Sequence, residues 1–245
     1  MWGQIFHITS SSQQRAIAKA TVKELQACTV MANATLHSGK AKGEQWCQVC
    51  IIGPNVDRTS TQYKMPFVSA DAVISPEVTD KFLLGCQPFH HLVNIFTECI
   101  APDFVQQSKS LVARVAELQQ DNWEHLANNK CYFFSQAALF NSTPGNPHKD
   151  KESSWSGFDA IGVFGDYEGG SLEFPELQCS FPSRPGDLIF IRGAGLLHQS
   201  KGWSGKGRMA SMMFANRRIF FKENISLSEL QSKVLRSSLA SSYKV

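Results

Sequence analysis

The chain has 245 residues, 42% of them hydrophobic and 18% charged, so it can bury a sizeable core and is not a disordered or low-complexity protein. A formal net charge of +3 excludes a strongly polybasic protein that holds nucleic acid by bulk charge alone. No stretch has the length and apolarity of a membrane span, and the opening MWGQIFHITSSSQQR carries neither a basic leader nor a sustained apolar run. The expectation is one intracellular, membrane-free, monomeric unit over residues 1–245.

In chain order, residues 11–36 predict a helix, with Ile17, Val22, Leu25 and Val30 as its apolar stripe. Residues 37–100 mix Gly and Pro with short apolar runs such as CQVCIIG, and predict short strands, loops and a helix near FHHLVNIFTECI. The stretch DFVQQSKSLVARVAELQQDNWEHLANN carries Phe104, Leu111, Val112, Val115, Leu118, Trp123 and Leu126 at helical spacing and predicts a long amphipathic helix. From Cys131 the pattern turns to short β-like runs: CYFFSQAALF, GFDAIGVFG, SLEFPEL, DLIFIRG and RMASMMFANRRIFF. STPGNP, DYEGG, RPGD and GWSGKG read as the turns between them. Many short strands with Gly/Pro turns imply an antiparallel sandwich or barrel, and SLSELQSKVLRSSLASS, capped by Ser226, predicts a closing helix. The chain thus divides into a helical and irregular flank (1–130), a β core (131–222) and a C-terminal helix (223–245).

Seven scattered cysteines fit reduced thiols better than a disulfide framework. Cys47 and Cys50 form one CxxC, and with Cys86, His90, His91 and Cys99 a zinc site is conceivable. The spacing matches no zinc-finger pattern, and buried free thiols are the preferred reading.

His148 and Asp150 stand two apart in NPHKDKESSW, so on an extended segment both side chains leave one face. His198, in LLHQS after the apolar run DLIFIRG and so near the end of a predicted strand, offers a third ligand. Two imidazoles and one carboxylate, with open positions opposite, form the facial triad of non-haem Fe(II) oxygenases. Arg208 follows ten residues after His198 across HQSKGWSGKGR. A hairpin centred on Trp203 would set His198 opposite Arg208, with a guanidinium fork ready for the distal carboxylate of an α-keto acid chelated at the metal. The implied co-substrate is 2-oxoglutarate. His7, His37 and His125 read as ordinary surface or hydrogen-bonded histidines, and Trp155 and Trp203 as packing residues rather than platforms for a base.

On His148, Asp150, His198 and Arg208, with DYEGGSLEFPEL, RPGDLIFIRG, LLHQS and GKGRMASMMF around them, the chain resembles the Fe(II)/2-oxoglutarate dioxygenases, and within them the TET/JBP branch that oxidises methylated bases. The resemblance implies an α+β fold, a double-stranded β-helix (jelly roll) with flanking helices. It implies Fe(II) on His148, Asp150 and His198, and the C5 carboxylate of 2-oxoglutarate on Arg208. It implies an oxidation coupled to decarboxylation of 2-oxoglutarate, with methylated nucleic acid, DNA foremost, as substrate. Some relatives carry a serine two residues after the arginine where this chain has Ala210.

Between Arg184 and Lys222 eight basic residues face one acid, Asp187, an excess of +7 around the third ligand. Lys201, Lys206, Arg217 and Arg218 are the candidate phosphate contacts, and a nuclear location would follow. A solvated strand edge bearing protective lysines is the competing reading of that run. A dioxygenase acting on a small metabolite or a protein side chain, and a non-enzymatic cupin-like binding protein, stand beside the nucleic-acid reading.

Overall fold

The computed structural model describes residues 3–7, 48–55, 67–68, 76–118, 130–133, 135–140, 145–155 and 157–217. The helices expected over 11–36 and 223–245 lie outside them, as does the Trp123 and Leu126 end of the long amphipathic helix.

Among the described residues two α-helices lead into the β core. Helix α1 spans Pro76–Ile100 and α2 spans Pro102–Leu118. Each opens with proline, whose missing N–H costs nothing in a first helical turn. Between them Ala101 donates its N–H to the Thr97 carbonyl (2.9 Å) and accepts from Val105 N (3.2 Å), so the chain turns without leaving those backbone groups unpaired. Phe82, Cys86, Phe89 and Val93 recur at helical spacing along α1 and are buried. The helix expected around FHHLVNIFTECI therefore begins earlier, at Pro76. Asn94 ties α1 to the chain entering the β core, donating to Lys130 O (2.6 Å) and accepting from Tyr132 N (3.0 Å).

Among the described residues nine strands follow or precede these helices: β1 Gly3–His7, β2 Gln48–Ile52, β3 Pro54–Asn55, β4 Phe67–Val68, β5 Ser135–Phe140, β6 Asp159–Phe174, β7 Cys179–Pro182, β8 Asp187–Ile191 and β9 Gln199–Phe214. Seven form an antiparallel sheet in the order β1-β8-β6-β9-β5-β2, with β7 also paired to β6; β3 and β4 pair separately. The sheet is therefore not confined to residues 131–222, because β1 and β2 from the preceding flank complete its two ends.

Two of the expected turns are strand. DYEGG lies inside β6 and GWSGKG inside β9, and they pair with each other, Tyr167 with Gly205 and Gly169 with Trp203. A register shift between Phe164 and Asp166 marks a bulge where the long ladder bends. RPGD is a turn as expected: Asp187 N donates to Arg184 O (3.0 Å), and the Asp187 carboxylate accepts from Arg184 N (2.8 Å).

Alternation sorts these strands between two cores. Ala160, Phe164, Leu188, Phe190, Met209 and Met213 meet the helices, joining Phe82, Leu83, Phe89, Phe104 and Leu111 in one buried cluster. Ile161, Val163, Ile189, Ile191 and Ala210, their neighbours in sequence, point to the opposite face and pack with Leu172, Phe174 and Leu196. Ile161 and Phe174 come from opposite ends of one strand, so β6 must curl to enclose this second cluster. No described helix is long and apolar enough to cross a membrane.

Candidate metal centre

His148 and Asp150 lie on a segment, 145–155, held by backbone bonds to the ends of other strands. His148 and His198 exchange both of their N–H···O bonds (3.0 Å each), an antiparallel bridge that sets the two histidines face to face. Asp150 N donates to Gly193 O (2.9 Å), Ser154 N to Ala215 O (2.8 Å) and Arg217 N to Glu152 O (2.9 Å). The backbone partner of His198 is thus His148. The hairpin expected to set Arg208 opposite His198 does not form, because the residues between them belong to β9 and pair with β6.

The tautomers follow from the hydrogen bonds. His148 Nδ1 lies 2.8 Å from Asn146 O, and His198 Nδ1 lies 2.9 Å from Leu196 O. A carbonyl only accepts, so each Nδ1 carries the proton and each Nε2 presents a lone pair. Those lone pairs converge on Asp150: His148 Nε2 is 3.7 Å from Oδ1 and His198 Nε2 is 3.4 Å from Oδ2. One ligand atom from each of the three residues lies within 4.8 Å of the others, and among the described residues this is the one such group of potential metal ligands. Two imidazoles tethered through Nδ1 and one carboxylate fit a divalent transition metal. The histidines differ in exposure, 52% for the His148 side chain and 4% for His198. Burial works against charge on the His198 imidazole, but Asp150 outweighs it, so its pKa lies above the ordinary value. A cation at this point is what the surroundings favour.

Behind Asp150 sits a second carboxyl that belongs to no motif in the sequence. Asp159, the first residue of β6, is buried, and burial pushes it up to about 8, with Asp150 adding to the effect against the Ser153 hydroxyl, His198 and the Gly193 amide. Burial thus favours the protonated, neutral carboxyl in the metal-free protein. Position 193 must be glycine, because a β-carbon there would collide with Oδ2 of both Asp150 and Asp159. The available signal was an acid on the inward face of an apolar strand, two residues before Ile161.

Two glutamates brace the ligand-bearing chain. Glu176 accepts from Leu197 N (3.1 Å) and pairs with Lys149 (2.8 Å), linking the residues next to His198 and His148. Glu173 accepts from Gln199 Nε2 (2.7 Å) and pairs with Lys201 (3.1 Å).

Arg208 is buried on the β9 face that also carries Ala210 and Met212, toward the second cluster. The His198 ring lies against Phe174 of that cluster at 6.4 Å between centroids, so His198 and Arg208 border one interior. The Arg208 guanidinium carbon stands 4.2 Å from the Trp203 ring centroid and 5.5 Å from that of Tyr167.

The basic run is less of a surface than its composition suggests. Arg208 is buried, Lys201 is paired with Glu173, and Arg192 packs over Phe158 (4.7 Å) while donating to Trp155 O (3.0 Å). Arg184 is exposed and Arg217 half-buried. The Lys206 side chain and Arg218 lie outside the described residues. Trp203 packs as expected, onto Arg208, whereas Trp155 is 36% exposed, its ring edge near Gly195. Cys86, Cys99, Cys131 and Cys179 are free thiols, and burial pushes Cys131 up to about 12. The zinc reading turns on Cys47 and the Cys50 side chain, which fall outside the described residues.

No protein-family model and no curated protein matches the chain. Among solved structures, NgTET1 in complex with 5mC DNA overlaps with a TM-score of 0.62 at 17% identity, covering 88% of this chain and 72% of that one. OsALKBH1 overlaps at 0.41 and 11% identity, over 86% and 97% of the two chains. The viral collagen prolyl hydroxylase of Paramecium Bursaria Chlorella virus-1 overlaps at 0.37 and 12% identity, over 87% and 95%. With the sheet order and two-sided burial above, the first overlap identifies the fold as α+β, a double-stranded β-helix flanked by helices.

Proposed function

We propose that the protein is an Fe(II)- and 2-oxoglutarate-dependent dioxygenase that oxidises a methyl group on a nucleic-acid base of the 5-methylcytosine or N6-methyladenine kind. The observation that carries this reading is the convergence of two Nδ1-tethered imidazoles and one carboxylate at the rim of a jelly-roll interior.

His148, Asp150 and His198 would hold Fe(II), which, with 2-oxoglutarate and dioxygen, supplies oxidative decarboxylation to succinate and carbon dioxide coupled to hydroxylation of a C–H bond. The chain's own residues do the positioning. The Asn146 and Leu196 carbonyls fix both imidazole planes. Asp159 stands behind Asp150 and outside the group of three ligand atoms, so the donor set has one carboxylate. Phe174, Leu172 and Leu196 line the interior behind His198 and exclude water. Arg208, buried and always cationic, is the candidate fork for the C5 carboxylate. The partner of NgTET1 in its solved complex, 5mC DNA, supports a base as substrate, which would reach such a site flipped from its stack.

A dioxygenase acting on a small metabolite or a protein side chain is the second reading. It is favoured by the internal use of basic residues, Lys201 on Glu173 and Lys149 on Glu176, which leaves less free positive charge at the rim for phosphates.

One experiment divides these readings: incubation of methylated oligonucleotides with the protein, Fe(II), ascorbate and 2-oxoglutarate, with succinate and the bases read by mass spectrometry. A base gaining one oxygen with matching succinate is expected. Succinate without a changed base supports the second reading, and absence of succinate defeats both.

A further inference from the structure

Arg208 is held in an unusual way for a buried cation. Its guanidinium carbon is 4.2 Å from the Trp203 ring centroid and 5.5 Å from the Tyr167 centroid. Trp203 is only five residues earlier on the same strand, where alternation alone would send the two side chains to opposite faces. The register shift that pairs Phe164 with Met209 but Asp166 with Lys206 places one extra residue in β9 between Trp203 and Met209, which breaks that alternation and lets Trp203 return over Arg208. Tyr167 comes from the paired strand: its register partner is Gly205, just past the register shift between Phe164 and Asp166. Its hydroxyl donates to Ser183 O at 2.8 Å, which fixes the ring against the turn leading into β8. Burial holds that hydroxyl above its ordinary pKa, with Arg208 pulling the other way, so it remains a donor.

We infer that Trp203 and Tyr167 are positioning residues that clamp the Arg208 guanidinium and thereby set the reach at which the interior accepts the distal carboxylate of a keto-acid co-substrate. The inference rests on the reading of Arg208 as the carboxylate fork. A guanidinium can use two parallel N–H bonds on a carboxylate only when its plane is fixed; the Trp203 ring face fixes that plane without consuming an N–H, and the Tyr167 hydroxyl, which hydrogen-bonds Arg208, steadies it from the paired strand. Neither tryptophan nor tyrosine touches the co-substrate in this arrangement; both act through the arginine. A clamped fork also discriminates by length, because a keto-diacid one methylene shorter or longer brings its far carboxylate to the wrong depth.

The test uses the full chain loaded with Mn(II) in place of Fe(II), so that binding is read by calorimetry without turnover. The titrants are 2-oxoglutarate, oxaloacetate and 2-oxoadipate. Trp203→Ala should weaken 2-oxoglutarate binding about tenfold, the scale of one desolvated cation–π contact, and narrow its preference over 2-oxoadipate. Trp203→Phe should restore most of both, and Tyr167→Phe, which keeps the ring but loses the hydroxyl's bonds to Ser183 and Arg208, should fall between. Mn(II) affinity should be unchanged in all three. Arg208→Ala is the reference and should lose 2-oxoglutarate binding altogether. If Arg208→Ala loses binding while both Trp203 variants and Tyr167→Phe bind all three keto-diacids like the parent, the clamp is wrong and the fork stands. If Arg208→Ala itself binds normally, the reading of the fork falls, and the clamp with it.

Discussion

The two faces of the central sheet are made by the same strands, yet they are different materials. Toward the helices, Phe89, Phe104, Phe133, Phe164 and Phe190 fill a core in which aromatic rings meet each other, as Phe89 and Phe164 do edge to face at 5.2 Å. Toward the interior the cluster is smaller and, apart from Phe174, aliphatic, and at its margins stand His198, Asp159 and Arg208, all buried. Adjacent residues serve opposite ends: Met209 packs under the helices while Arg208 faces inward. The difference teaches that the aromatic face supplies the stability that lets the other face bury charge, which on its own would cost free energy.

The largest expected effect breaks the inner face alone. His198→Ala should reduce metal loading and turnover by at least about a hundredfold, measured by metal analysis and succinate release, while the melting of metal-free protein changes far less. Iron content equal to the parent would remove His198 from the centre. On the outer face Phe89→Ala should do the reverse. It should cost about 3–5 kcal/mol in denaturant unfolding and leave the metal affinity of the folded fraction unaltered.

Asp159→Asn sharpens the comparison through pH. A carboxyl at about 8 when folded and about 4 when unfolded keeps its proton in the native state across that window. Its contribution to stability is fully present below about pH 4 and is lost as pH rises toward 8, at up to about 1.4 kcal/mol per unit. Metal-free Asp159→Asn should therefore lose less stability between pH 5 and 8 than the parent does. Parallel urea midpoints for the two proteins would refute this. Arg208→Lys keeps the charge but loses the planar fork, so 2-oxoglutarate affinity should fall about tenfold with metal binding intact. The smallest change is expected from Lys201→Ala. Its ammonium is paired with Glu173, so the slope of log K against log salt for any nucleic-acid binding should hardly move. A slope shallower by about 1 would return Lys201 to the phosphate contacts.

The legible part of the centre was local. His148 and Asp150 announce themselves by spacing, and His198 by following an apolar run that is indeed β8. The helix of 102–118 was visible as an amphipathic stripe, and of the helix of 76–100 only the FHHLVNIFTECI end was. What could not be read depended on pairing between distant segments. DYEGG and GWSGKG each look like a turn in isolation, because glycine is poor strand material. They are strand here because each bends where the other does and supplies its hydrogen-bond partners. Missing that pairing produced the hairpin that set Arg208 against His198. The inward position of Arg208 instead follows from its alternation with Met209 and Met213, which only the finished sheet reveals. Asp159 was hidden for a related reason: its burial depends on Gly193 and Asp150, both remote in sequence.

The backbone bridge between His148 and His198 has a consequence for how the molecule comes apart. Each histidine is held in place by the other's peptide group, so pulling the two segments apart dismantles the ligand set in the same motion that opens the roll. Any ion that occupies the centre then acts as a latch on that opening. At a free concentration one hundred times its dissociation constant it would add about 2.7 kcal/mol to the closed form. Resistance to proteolysis would then rise and fall with the metal supply of the surroundings, even when no substrate is present.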